Sequence, residues 1–237
     1  MAELILPPGT VRAVSFDLDF TLWDLTNVIP AAEERTMAFL AERAPEVAAR
    51  YDAAAMRELR DVVMAEQPGL RHNLTELRKA CMRRALESVG YRDESLVEAA
   101  FDVFLEGRHR VHMYDDAVPT LKRLRGQVAV GAVTNGNADI DRIGLQGFFD
   151  FRVSAIDVGA AKPDRLVFEA ACHRAGVAPH QMLHVGDEPE SDVIGAARYG
   201  MVAVWLNRSG ELWPEHVEAV PHVQVRSLDE VVELVQG

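Results

Sequence analysis

Hydrophobic positions along this chain follow two different rhythms. Near the start, Val11, Ala13, Val14, Phe16 and Leu18 make an apolar run that reads as a buried strand. From Pro30 to His112 the pattern changes to Ala, Glu, Arg, Leu and Met, with no β-branched stretch long enough for a strand. Val97, Ala100, Phe101, Phe104 and Leu105 form one helical stripe there, and Leu74, Leu77 and Cys81 form another. The second follows Asn73-Leu74-Thr75-Glu76, which has the form of a capping box. Pro45 and Gln67-Pro68-Gly69 divide the block, so the pattern predicts about four helices in a small bundle.

From Ala117 onward short apolar runs alternate with helical stretches. The runs are Val128 to Val133, Phe151 to Val153, Met182 to Val185 and Val202 to Leu206, and one intervening helix carries Val167, Ala170 and Ala171. Strand, helix, strand in succession predicts a parallel sheet. Val223 to Val225 adds an edge strand and Leu228 to Leu234 a final helix. The expected organisation is an α/β core domain from 1–23 and 113–237, interrupted by an all-helical domain from 24–112.

Composition narrows the function classes. The chain has 237 residues, 49% of them hydrophobic, enough for a substantial core. Its 25 Lys and Arg against 37 Asp and Glu leave a formal charge of −12, which argues against nucleic acid or an anionic membrane as a general partner. An anionic substrate would need local cations. Cys81 and Cys172 stand far apart in helical patterns and read as buried thiols rather than a zinc site or redox pair. None of the eight histidines has ligand spacing to another His or Cys. No apolar run reaches the roughly 18 to 20 residues of a membrane span, nor is there a signal-like N-terminus, so the expected compartment is the cytoplasm.

The polar residues make the picture specific, because the main apolar runs end in small polar clusters at their carboxyl sides. After the first come Asp17, Asp19 and Thr21; after the next, Thr134-Asn135-Gly136-Asn137; after the run ending at Val185, Gly186-Asp187-Glu188 with Asp192 beyond. Asp17 and Asp19 face the same way only if the backbone stays extended. Each cluster alone suits a turn or a helix cap. Together with Lys162, just before Pro163, they would meet on the rim where open parallel sheets bind ligands.

Asp17-Leu18-Asp19-Phe20-Thr21, Thr134, Lys162, and Asp187 with Asp192 occur in the order and spacing of the four motifs of the haloacid dehalogenase superfamily, and the chain resembles it over almost its whole length. The resemblance implies a Rossmann-like core and makes the helical insertion similar to that family's C1 cap, which selects substrate. Val133-Thr134-Asn135-Gly136-Asn137, His184-Val185-Gly186-Asp187 and Trp205-Leu206-Asn207-Arg208 resemble the branch of flavin mononucleotide and riboflavin-pathway phosphatases.

That resemblance implies a magnesium-dependent phosphatase acting on a small phosphorylated metabolite through an aspartyl-phosphate. Asp17 would be the nucleophile, ionised with an ordinary pKa of about 4. Asp19 would protonate the leaving alcohol and then deprotonate water. Thr134, with Asn135 beside it, and Lys162 would hold the phosphoryl group. Mg2+ would be held by Asp17, the carbonyl of Asp19, Asp187 and, through water, Asp192. Flavin mononucleotide or a related ribityl phosphate is the expected substrate. Two other readings share parts of this pattern: a 2-haloacid dehalogenase, which needs neither metal nor second carboxylate, and a non-catalytic phosphate-sensing module. Receivers of the latter kind do not require an insertion of roughly 90 residues, far above ordinary loop lengths. Trp23 and Asp24, just past the first motif, have no role assigned by sequence.

Overall fold

The computed structural model describes residues 10–236, and they divide into two compact units. One unit is built on strands, the other on helices. Of the described residues, the strand-based unit takes 10–24, 112–136 and 144–236; the helical unit takes Leu25–Val111 together with Asn137–Ile143. The latter short segment had been expected with the strands.

Six parallel strands form the sheet: β1 (Ala13–Phe16), β4 (Ala129–Thr134), β5 (Phe151–Ser154), β6 (Met182–Gly186), β7 (Val202–Leu206) and β8 (Val223–Val225). Two further strands, β2 (Trp23–Asp24) and β3 (His112–Met113), form a separate antiparallel pair that the sequence pattern did not predict, being too short to show alternation. The sheet order is β5-β4-β1-β6-β7-β8. β1, β6 and β7 are buried at every position, which is why they read as continuous apolar runs. Parallel neighbours need crossovers, and the helices Arg165–Ala175 and Gly195–Tyr199 supply two of them. The core beneath includes Val133, Phe151, Val167, Phe168, Met182 and Trp205. From β1 the chain runs outward through β4 to β5, then returns to β1's other side at β6, so the order reverses at β1. Ligands bind beyond the carboxyl ends of strands at such a switch point.

The helical unit contains α1 (Val28–Arg43), α2 (Pro45–Arg50), α3 (Ala53–Glu66), α4 (Leu74–Glu87) and α5 (Glu94–Arg108). Pro45 ends α1 as expected, because the residue before proline is pushed out of helical geometry. The extra helix relative to expectation is the six-residue α2. Asp52, Asn73 and Asp93 cap α3, α4 and α5, each accepting from backbone N–H groups of the first turn. Gly107 lets α5 approach α1 closely, since a Cβ there would lie 2.9 Å from Ala32. The half-buried Arg78 is accommodated by Glu33 at 3.0 Å and by the Phe104 ring, 3.9 Å from its guanidinium. Cys81 and Cys172 are both buried free thiols. Among the described residues no helix is long and apolar enough to cross a membrane.

Candidate active site

Asp17 follows the last residue of β1, its N–H still donating to Val185 O of β6 at 2.8 Å. Register explains what it meets next. Phe16 pairs with Ala132 on one side and Val185 on the other, so the carboxyl ends of β1, β4 and β6 come level. Lys162 reaches this point from the loop after β5. Its Nζ donates to Asp17 Oδ1 at 2.6 Å, Asp192 Oδ1 at 2.6 Å and the Val133 carbonyl at 3.0 Å. An ammonium has three donors, and all three are engaged.

The lysine is itself braced. Asn135 accepts from Lys162 N at 2.7 Å and donates to Lys162 O at 3.0 Å, so the amide expected at the phosphate is engaged with the Lys162 backbone. Thr134, at the end of β4, is buried, and its hydroxyl accepts from Gly136 N at 2.9 Å, shaping the loop that follows.

Asp192 lies on a one-turn π-helix (Pro189–Ile194), where a helix starting near Ser191 had been expected. Its Oδ1 takes Lys162 and, at 3.3 Å, Nε2 of His184; its Oδ2 accepts from Glu188 N at 3.1 Å. His184 and Ser15 are partners across β6 and β1, with Ser15 Oγ 2.8 Å from Nδ1. The tautomer follows from these partners: Ser15 donates to Nδ1 and Nε2–H donates to Asp192. Burial holds the imidazole below its usual pKa, which keeps it neutral. Gly186 makes this packing possible, because a Cβ there would fall 2.2 Å from Asp192 Cγ. Gly186→Ala is therefore expected to push Asp192 off Lys162 and lower thermal stability by at least about 1 kcal/mol; unchanged melting would show that the carboxylate moves freely.

Asp187 stands between two anchors. Thr21 Oγ1 donates to its Oδ1 at 3.2 Å, and Trp205 Nε1 donates to its carbonyl at 3.0 Å. Behind Thr21, Arg208 donates to the Thr21 carbonyl at 3.1 Å while gripping Asp116 with both terminal nitrogens at 2.8 and 2.9 Å and lying 4.0 Å over Tyr114. Sequence reasoning singled out neither His184, Ser15, Trp205 nor Asp116 for a role. The signal for Arg208 was present in the Trp205-to-Arg208 motif, but its partner Asp116 is 92 residues away.

The chain turns immediately after Asp19. Phe20 adopts φ 59°, in the left-handed region, and Asp19 bridges to Trp23 across this turn. Asp19 Oδ1 accepts from Trp23 Nε1 at 2.8 Å.

Carboxylate oxygens of Asp17, Asp187 and Asp192 lie within 4.8 Å of one another. Burial, then the neighbouring carboxylates, push Asp187 up to about 7. Burial also raises Asp17 well above its ordinary value; Lys162 opposes this, and Asp192, Asp187 and Asp19 reinforce it. The ordinary value expected for Asp17 thus does not hold in the protein alone. For Asp192, burial is outweighed by Lys162 and His184, which hold it low. Lys162 itself is raised, its two carboxylates overcoming burial. Hard oxygen donors crowded until two resist ionisation fit a small divalent cation.

Comparisons with known proteins agree with this arrangement. The haloacid dehalogenase-like hydrolase family matches residues 11–200. The 5-amino-6-(5-phospho-D-ribitylamino)uracil phosphatase YigB of Escherichia coli K12 is 30% identical over 97% of this chain and 98% of its own. A phosphoserine phosphatase of Thermus thermophilus is 37% identical over 65% of this chain and 63% of its own. Among solved structures, a 2-haloacid dehalogenase from Pseudomonas syringae superposes with a TM-score of 0.88 at 36% identity, covering 95% of this chain and 98% of that one.

Proposed function

Since the chain belongs to the haloacid dehalogenase-like hydrolases, we propose that it is a magnesium-dependent phosphatase that hydrolyses a small phosphomonoester through an aspartyl-phosphate on Asp17. The observation that supports this best is Lys162 joining Asp17 to Asp192 beside Asp187, with a second carboxylate, Asp19, in the same loop.

In the first step an Asp17 carboxylate oxygen attacks phosphorus, the ester P–O bond breaks, and Asp19 gives its proton to the departing alkoxide. In the second, water attacks the same phosphorus, Asp19 takes the water's proton, and the bond to Asp17 breaks to release phosphate. Lys162 fixes the nucleophile's orientation, while the Thr134 hydroxyl, which accepts from Gly136 N and keeps its own proton, offers a donor to a phosphoryl oxygen. Asp17, Asp187 and the Asp19 carbonyl would hold Mg2+, with Asp192 behind them in its bonds to Lys162, His184 and Glu188 N. When bound, the ion offsets the charge that carboxylates and phosphate bring together. The helical unit is proposed to act as the cap that selects the leaving group.

The likeness to the Pseudomonas syringae structure favours a second reading, carbon–halogen hydrolysis. Halide leaves as a stable anion and needs no proton, so it would give Asp19 no task as an acid and the acidic cluster no cation to hold. The phosphatase reading uses both. Similarity to YigB supports a ribityl phosphate or flavin mononucleotide as substrate. The test is phosphate release from a panel of flavin mononucleotide, phosphoserine, sugar phosphates and p-nitrophenyl phosphate, with Mg2+ and with chelator, beside chloride release from 2-chloropropionate. Phosphate release that chelator abolishes is expected; chloride release in chelator with no phosphate release would favour the dehalogenase.

Asp187 supplies a pH dependence. Between the unfolded value of about 4 and about 7 in the folded chain, the native state retains a proton that the unfolded chain has lost. Metal-free stability therefore falls as pH rises through this window, by up to about 1.4 kcal/mol per unit, and levels off above it. Cation binding needs the ionised carboxylate, so Mg2+ is expected to raise the melting temperature more at about pH 8 than at about pH 5. Equal shifts in melts at both pH values would separate Asp187 from the cation.

A further inference from the structure

The turn after the first motif contains a contact that the chemistry above leaves unused. Trp23 is fully buried, and its Nε1 lies 2.8 Å from Asp19 Oδ1. The backbone that carries the indole is held at several points. The Trp23 carbonyl accepts from Phe20 N at 2.8 Å, Leu22 N donates to Leu18 O at 2.9 Å, and Tyr114 N donates to Leu22 O at 3.0 Å. Trp23 also pairs with Met113 in the β2–β3 ladder. Phe20, at φ 59°, closes the turn in a conformation that a bulky residue adopts only when its surroundings enforce it.

We infer that Trp23 is a positioning residue for the Asp19 carboxyl group, and that its N–H selects the oxygen that carries the proton in both half-reactions. An indole N–H is a donor only. The oxygen it faces must therefore be an acceptor, so a proton on Asp19 sits on Oδ2. Without that donor the indole no longer keeps the proton off Oδ1, the oxygen turned toward Trp23 and away from the leaving alcohol and the water. The bond suits both protonation states of Asp19, so it persists through the cycle. This inference rests on the phosphatase reading, because only a reaction that moves a proton twice makes the orientation matter.

The competing explanation is a core tryptophan whose N–H found the nearest acceptor. Trp23→Phe keeps an aromatic ring and removes the donor; β-(3-benzothienyl)alanine at position 23 keeps the indole's shape and replaces only the N–H by sulfur. The readout is leaving-group dependence. p-Nitrophenolate departs without a proton, so the pre-steady-state release of the first equivalent from p-nitrophenyl phosphate should change by no more than about twofold. Steady-state turnover, which needs the base, should fall at least about tenfold, converting the time course into a burst. With glycerol 2-phosphate, whose alkoxide must be protonated, the first turnover should slow by a similar factor while KM stays within about twofold.

If both replacements retain wild-type rates on both esters, or slow the nitrophenolate burst as much as the alkyl ester, the positioning role is wrong while the phosphatase reading stands. A wild-type protein that hydrolyses neither ester, or an Asp17→Asn protein that still hydrolyses them, overturns both. Should Trp23→Phe fail to fold, the benzothienyl protein decides by the same criteria.

Discussion

Asp17→Asn is expected to abolish phosphomonoester turnover, lowering it by at least about three orders of magnitude, while the protein stays folded. The substitution replaces one carboxylate oxygen by an amide nitrogen of nearly the same size, so nothing in the turn must move. Lys162 keeps its Asp192 and Val133 partners at 2.6 and 3.0 Å, so the cation is not orphaned. The neutral amide also relieves repulsion with Asp187 and Asp192, both of which raise the Asp17 pKa. Melting within a few degrees of wild type is therefore expected, with phosphate release at background. Incubation with radiolabelled substrate should label wild-type protein and leave this variant unlabelled. Measurable turnover by Asp17→Asn would remove the nucleophile from the mechanism.

Asp19→Asn provides the complementary result. It retains the nucleophile but loses the base, so phosphoenzyme should accumulate where wild type shows little. The two variants together distinguish a covalent path from direct attack by water, in which neither protein would ever carry label.

What made the site legible in the sequence was its dependence on local grammar. A buried parallel strand reads as an unbroken apolar run, so Val202 to Leu206 and Val223 to Val225 emerged with the same bounds in structure as in pattern. Residues at the ends of such runs are level in a parallel sheet, which is why the pattern alone groups Asp17, Thr134 and Asp187. Lys162 joined them because it precedes a proline at a helix start, and the structure places its Nζ on Asp17.

What stayed hidden depends on register and on turns. Ser15 and His184 are adjacent only because β1 and β6 pair with that alignment. One-residue slippage would send His184 to the opposite face. Asp116 and Arg208 form their bidentate pair across 92 residues, and no local pattern encodes it. The β2–β3 ladder is two residues long on each side, below the length at which alternation is visible. The same brevity concealed the Trp23 contact, since the left-handed Phe20 rather than any periodicity folds the indole back onto Asp19. Asn135 shows a subtler gap: its place beside Thr134 was readable, but its partners are backbone atoms of Lys162, about which side-chain identity says nothing.

Lys162→Met should have the other large effect, and it should appear in stability as well as rate. Lys162 is the cation between two buried carboxylates, its side chain 2% exposed. Removing one partner of a buried ion pair costs about 3 to 5 kcal/mol, because the charges left behind have no replacement solvation. Part of this cost is avoided by protonation. Asp17 is already raised by burial, and without the ammonium it takes up a proton more readily still. The destabilisation should therefore be smaller at about pH 5 than at about pH 8, where holding the carboxyl group neutral is harder. The same protonation removes the nucleophile, so turnover should fall at least about a hundredfold even at saturating substrate. Lys162→Met combined with Asp192→Asn separates the two effects: deleting the second stranded carboxylate should restore part of the urea midpoint and none of the rate. A single variant that unfolds at the wild-type midpoint at about pH 8 would mean that the two carboxylates are not held by this lysine in solution, and the geometry on which the mechanism depends would be lost with it.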